Sequence, residues 1–294
     1  MRKGLALLLI GWVMVHCERQ KSNPFSISKG QAVPYTERVF LPAGDFTMGS
    51  DSGKDNEKPV HTVFLDGYWI DRYEVTNERY AVFLNDVLRK GLIEVTAEEV
   101  KREGKRWFHL ASPYCQIPFN GRWFAPFPGK EHYPVYEVTW TGADAFARYY
   151  GLRLPTEAEW EKAARGGNQS MGYLYAGSDD LDEVAWHWGN AFNPDNDQYQ
   201  GRGTHRVGLK KPNEIGCYDM SGNLWEWTQD WYDFHYYEKS PRADPPGAET
   251  GEFKVVRGGT WLYHTYYLTC THRASVNFPY ESTDKIGFRC VMDP

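Results

Sequence analysis

The sequence predicts an α+β domain, and three observations carry that reading. Strand-length apolar runs are short and closed off by turn signals. Helix-period runs with a recognisable cap are few. The composition is rich in rings and turns, with 12 Trp, 20 Tyr, 15 Phe and 28 Gly among 294 residues, which suits a loop-rich recognition scaffold more than packed aliphatic helices. At 41% hydrophobic and 24% charged, the chain can bury a sizeable core as one large domain or two modest ones, which excludes a disordered or collagenous protein. The formal net charge of -6 offers no basic stripe for a phosphate backbone, so nucleic acid is not an expected partner.

The chain opens with Arg2 and Lys3 before an apolar run from Gly4 to Val15, too short to span a bilayer and suited to a signal-peptide core. The run ends at Cys17 ahead of the polar Glu18-Arg19-Gln20, as in the lipobox of a bacterial lipoprotein, although His16 replaces the small residue usual there. Residues 1–17 are therefore expected to be a signal peptide ending at a lipidated Cys17. Residues 18–34 are expected to be a polar tether, placing the protein on the outside of the bacterial cell envelope with membrane contact through lipid alone.

One domain is expected over 35–294. Val39-Phe40-Leu41, Asp45 to Met48, His61 to Leu65 and Tyr68-Trp69-Ile70 read as strands of a small antiparallel sheet, separated by Pro-Ala-Gly, Asp-Ser-Gly and Asp-Gly. Thr76 caps a helix with Tyr80, Phe83, Leu84 and Val87 on one face and Gly91 at its end. Thr141 begins a second, with Phe146, Tyr149 and Tyr150, stopped by Gly151. Thr156-Glu157-Ala158-Glu159 is a capping box for a third, carrying Trp160, Ala163 and Ala164. The irregular aromatic stretch near 92–130 reads as an insertion, and Asp179 to Glu183 as a solvated helix start. Cys115, Cys217, Cys270 and Cys290 allow three pairings, which spacing leaves open, and no C-x-x-C supports a zinc ribbon or a thioredoxin-type site. His264, Cys270 and His272 have the spacing of no familiar zinc site.

Five strings occur in order: Gly44 to Ser50; Tyr73 to Asn77; Pro134 to Trp140 leading into Leu152 to Glu161; Tyr218 to Trp227; and Arg257 to Trp261 closing with Gly287-Phe288-Arg289-Cys290. With them the chain resembles the sulfatase-modifying-factor family, whose best-known member is the formylglycine-generating enzyme. The resemblance implies a C-type-lectin-like fold, loop-rich with small twisted antiparallel sheets. It also implies two thiolates after the Arg-Gly-Gly strand that hold copper and oxidise a substrate cysteine. Here those two positions fall on Tyr263 and Leu268, and neither is a thiolate. The same resemblance offers Asp219, Gly222, Leu224 and Glu226 as hard-oxygen ligands for a structural calcium ion; no other cofactor is expected.

Residues 262–283 are dense in Tyr, Thr, Ser, His and Asn, the side chains of antibody-like contact surfaces. Randomising the adenines of AAC or AAT codons reaches every residue from Leu262 to Thr283 except Glu281. With its Arg-Gly-Gly-Thr-Trp lead-in, the stretch resembles the variable region, 261–285, of a target protein of a diversity-generating retroelement. Tyr263, His264, Tyr266, Tyr267, Thr269, Thr271, Val276, Phe278, Tyr280, Ser282 and Thr283 are the expected contact positions, on a framework of Gly258, Trp261, Arg273, Gly287 and Phe288. The expectation is a non-catalytic surface lipoprotein, not an enzyme, that binds a macromolecular ligand, most simply a protein. The alternative is an oxidoreductase or maturation factor of the formylglycine-generating kind working through Cys270 or Cys290.

Overall fold

A computed structural model describes residues 36–275 and 278–294. The expected leader with Cys17, the tether and the contact position Val276 lie outside the described residues.

The first strands follow the turn signals. β1 (Arg38–Leu41), β2 (Gly44–Met48), β3 (His61–Leu65) and β4 (Tyr68–Asp71) alternate burial along their length as half-buried strands do. They do not form one sheet. β2 pairs with β3, while β1 pairs with β4, whose other edge is taken by the C-terminal strand.

α1 (Asn77–Arg89) is capped by Thr76, whose side chain accepts from the Arg79 amide, and its buried face includes Tyr80, Phe83, Leu84 and Val87. Beyond Lys90 the chain turns at Gly91, with φ +66°, and the Leu92 amide returns to the Val87 carbonyl at 2.9 Å, closing the helix end. β5 (Glu94–Val95), β6 (Glu99–Arg102) and β7 (Lys105–His109) form a separate antiparallel sheet inside the stretch read as an insertion. It contributes Trp107 and Phe108 to the main core. α2 (Trp140–Tyr149) starts one residue before Thr141, because Thr139 takes the cap, accepting from the Gly142 amide at 3.0 Å.

α3 (Glu157–Ala164) has the full capping box: Glu159 N donates to Thr156 Oγ1 at 3.2 Å and Thr156 N to Glu159 Oε2 at 2.8 Å. All eight of its residues are buried, four of them charged. A helix with so many ionisable groups can be buried only if partners meet them: Arg257 meets Glu157 and Glu161, Arg273 meets Glu157, Arg153 meets Glu159, and the Pro42 and Gly44 carbonyls meet Lys162. α4 (Leu181–Val184) is capped by Asp180, as the acidic run suggested.

β8 (Trp225–Trp231), α5 (Tyr236–Lys239), β9 (Lys254–Arg257), β10 (Arg273–Ala274), β11 (Ile286–Gly287) and β12 (Val291–Met292) complete the order. The sheet order β10-β9-β8-β11 is antiparallel except for β11 beside β8. Tyr80 sits at the centre of the main core, its ring 5.5 Å from Phe83, 5.6 Å from Phe108, 5.8 Å from Phe146 and 6.1 Å from Phe288. Burying each such ring contributes roughly 2–3 kcal/mol. Rings thus join α1, α2, β7 and the C-terminal segment, which accounts for the ring-rich composition. Trp261 and Phe288, assigned to the framework, are fully buried.

Candidate functional site

Residues 258–272 leave β9 and return as β10, so they form a loop whose neck is a strand pair. Gly258 and Gly259 start it with φ +95° and +77°. A Cβ on Gly259 would lie 2.6 Å from the Tyr267 carbonyl oxygen, so the loop folds back onto its own root only because no side chain is there. The neck is clamped to α3. Arg273 donates Nε and Nη2 to the two oxygens of Glu157, both at 2.7 Å. Arg257 donates to Glu157 at 3.2 Å and Glu161 at 2.5 Å, and to the Thr271 and Cys270 carbonyls at 3.0 and 2.8 Å.

Glu57, in the short 3-10 turn Asp55–Glu57, fastens the loop from the other side. It accepts from the Tyr266 hydroxyl at 3.1 Å, the Thr271 hydroxyl at 2.8 Å and the Lys54 amide at 3.2 Å. His272 Nδ1 lies 3.4 Å from Glu57 Oε1, close enough for charge attraction but outside good hydrogen-bond geometry. Burial would raise the Glu57 carboxyl, but His272, Thr271 and the Lys54 amide outweigh it and hold the group at about 2. His272, 2% exposed, is pushed below the usual imidazole range by burial against the opposing pull of Glu57.

Between this loop and the end of β8 opens a cleft of about 540 Å³. Tyr263 and Tyr267, with ring centroids 4.7 Å apart, line it together with Tyr232 and Phe234. Trp225 and His272 lie deeper, their rings 5.7 Å apart. Asn56 adds a buried amide and Lys54 a polar rim, the Lys54 ammonium standing 5.0 Å from the ring centres of both Tyr266 and Tyr267. The result is a half-open aromatic slot with a cation at its edge and the His272 imidazole at its base.

Of the expected contact positions, Tyr263 and Tyr267 line the cleft and Tyr266 borders it through Glu57 and Lys54. Tyr266 and Tyr267 are each 37% exposed. His264 is exposed, with Trp188 6.4 Å from its ring. Thr271 is held by Glu57. Thr269 corrects the expectation: it is buried, its hydroxyl 3.4 Å from that of Thr271. Phe278 stacks between Phe253 and the exposed Tyr280, and Ser282 donates to Glu137, while the Thr283 carbonyl accepts from the Glu137 amide. These last four belong to a different surface from the cleft. Asn56, Trp225, Tyr232 and His272 went unnamed as contacts; Trp225 was visible only as part of the Tyr218 to Trp227 string.

The thiols stand apart from the cleft. Cys115, Cys217, Cys270 and Cys290 are all free, and none lines it. Cys270 is 1% exposed with Sγ 3.6 Å from the Ala164 carbonyl, and burial pushes its thiol up to about 12. Leu268 is fully buried. These residues do not fit a two-thiolate copper site. Nor does the calcium set assemble as drawn: Glu226 gives both oxygens to Arg289, at 2.7 Å each, and one also to the Trp160 indole at 2.8 Å. Asp219 accepts from the Gly208 amide with one oxygen and has no partner for the other. Among the described residues no group of three or more His, Cys, Asp or Glu could hold a metal ion.

Comparison with known proteins places this geometry. Residues 24–294 match the model of the sulfatase-modifying factor enzyme 1-like domain. The chain is 37% identical to the formylglycine-generating enzyme of Streptomyces coelicolor, covering 87% of this chain and 89% of that one. It is 33% identical to the formylglycine-generating enzyme of Bos taurus, covering 94% and 79%. The solved Treponema denticola variable protein 1 superposes with a TM-score of 0.65 at 24% identity, covering 87% of this chain and 95% of that one. The fold is therefore the expected loop-rich, C-type-lectin-like α+β arrangement. The expectation that the protein is not an enzyme is overturned, because relatives of this identity over most of the chain are named as enzymes.

Proposed function

The chain belongs to the sulfatase-modifying factor enzyme 1-like domain family, and on that premise we propose that it is a maturation factor of the formylglycine-generating kind, which takes an extended segment of a client polypeptide into the aromatic cleft. One observation carries this reading. Tyr263, standing where the resemblance puts the first thiolate, lines a cleft roomy enough for a few residues of chain, beside His272 and Trp225. Rings with few rotatable bonds give large contact area at low entropic cost, so Tyr263 and Tyr267 supply most of the affinity. The polar groups lining the cleft are hydroxyls, an imidazole, an amide, the Lys54 ammonium, the Asp55 carboxylate and the Arg273 guanidinium.

A second reading, a retroelement-diversified binding surface, is favoured by the codon-compatible stretch from Leu262 to Thr283 and the exposure of Tyr266, Tyr267 and Tyr280. It requires a near-copy of the codons for 261–290, differing at adenines, beside a reverse-transcriptase frame; lack of such a template removes it.

The test of the first reading is selection of random peptides on the full chain. Enriched peptides should lose roughly tenfold or more in affinity on Tyr263→Ala or Tyr267→Ala. No enrichment, or binding indifferent to both substitutions, overturns the reading.

A further inference from the structure

Three polar atoms of residues lining the cleft have no hydrogen-bond partner among the described residues: Asn56 Oδ1 and Trp225 Nε1, which are of opposite sense, and His272 Nδ1, which faces Glu57 at 3.4 Å. Asn56 is 5% exposed and Trp225 2% exposed, and both line the cleft. Asn56 Nδ2 donates to the Tyr232 hydroxyl at 2.9 Å and to the Arg273 carbonyl at 3.2 Å. A carbonyl oxygen only accepts, so Arg273 fixes which way the amide is turned. Oδ1 is then the remaining atom, an acceptor that is buried and has no partner among the described residues. Trp225 Nε1, which can only donate, is likewise buried and unpartnered. Trp227 donates to the Val138 carbonyl at 3.1 Å and Trp160 to Glu226 at 2.8 Å, whereas Trp186 and Trp261 are unpartnered like Trp225 but do not line the cleft.

A buried donor or acceptor left unmade is costly, and a fold that leaves one of each beside the same cleft is poised for a group that both accepts and donates. Resting on the polypeptide reading above, we infer that the cleft seats an amide of the client, its carbonyl accepting from Trp225 Nε1 and its N–H donating to Asn56 Oδ1. The peptide bond and the carboxamide of Asn or Gln share that chemistry. Both protein atoms are buried. The amide reaches them when Tyr263 and Tyr267 turn outward, and no hydrogen bond within the described residues ties either ring hydroxyl down. The two rings then close over the seated group and exclude water from it, which strengthens both bonds.

The experiment starts from an acetylated, amidated peptide selected from a random octapeptide library on the full chain. Each backbone amide is replaced in turn by an ester, which removes the N–H, and each Asn or Gln by Asp or Glu. Affinity is read by fluorescence anisotropy. One replacement should weaken binding about tenfold. Trp225→Phe should weaken the parent peptide by a similar factor, and in Asn56→Ala the penalty of that one replacement should shrink below about twofold. An ester position identifies a peptide bond as the seated group; an Asn or Gln position identifies a carboxamide. Asn56→Ala also loses the bond to Arg273, so an unsubstituted readout accompanies it. With 15N-labelled tryptophan, the Trp225 indole N–H resonance, assigned by its loss in Trp225→Phe, should move as the peptide saturates the wild-type chain.

A flat scan with an unmoved Trp225 resonance, while Tyr263→Ala and Tyr267→Ala still weaken the peptide, overturns the amide inference and leaves the polypeptide reading standing. Failure to select any peptide, or selection of peptides indifferent to the two tyrosines, overturns both.

Discussion

Arg257 and Arg273 lie directly opposite each other across β9 and β10, both fully buried, and both donate to Glu157. Two like charges in facing register repel, so this strand pair holds only because α3 supplies carboxylates between them. The neck of the cleft loop is thus built on charges, and on its other side Arg257 faces Glu226 of β8. Glu157→Gln should therefore lower the unfolding free energy by about 3–5 kcal/mol, since it leaves two buried guanidiniums with Glu161 alone. Urea unfolding followed by tryptophan fluorescence measures this, and a loss below about 1 kcal/mol would show that the pair is not the clamp described.

Glu57 gives the same loop an acid-sensitive fastening. Its folded carboxyl titrates at about 2 against an unfolded value of 4.5. A depressed carboxyl contributes stability above the unfolded value and loses it as pH falls through the folded one, here between about 4.5 and 2. Glu57→Gln should cost about 2 kcal/mol at pH 7 and nothing near pH 2, so that the two stability curves converge on acidification. Equilibrium unfolding across that range checks it, and parallel curves would reject the assignment.

The helices were legible because their signals are local. Thr76, the Thr156 and Glu159 box, Gly91 and Gly151 each act within one turn, and each lies where expected. Thr139 was overlooked as the α2 cap because Thr141, two residues on, satisfies the same rule. The five strings led to the family, and the ring-rich stretch led to Tyr263 and Tyr267. The polar floor of the cleft was not legible. Asn56, Trp225 and His272 come from segments more than 40 residues apart, and what singles them out is a buried polar atom without a partner, a property that exists only once the chain is folded. The burial of Glu157 and Glu161 on α3 depends on arginines about 100 residues downstream, which no local signal announces.

Gly259 tests whether the wall of the cleft is fixed by its root. With φ +77° and the Tyr267 carbonyl 2.6 Å from any added Cβ, Gly259→Ala forces either the backbone or residue 267 to move. The expected cost is about 1–3 kcal/mol in stability, together with a loss of affinity for any cleft-bound peptide at least as large as that of Tyr267→Ala. A Gly259→Ala protein that binds normally would show that the wall adjusts independently of the glycine turn.

Calcium has a defined competitor in this fold. A cation held by Asp219, Gly222, Leu224 and Glu226 would have to draw Glu226 away from Arg289, whose guanidinium is fully buried and bonds both carboxylate oxygens. Stripping Arg289 of that partner leaves an uncompensated interior charge, a loss of about 3–5 kcal/mol that metal binding would have to exceed. Glu74, buried beside Asp219 and Glu226, is pushed up first by burial and then by those two carboxylates. The melting temperature in millimolar calcium and in excess chelator should therefore agree within about 1 °C. A rise of several degrees with calcium would mean that Glu226 exchanges Arg289 for the ion, and Glu226→Gln would then abolish the rise.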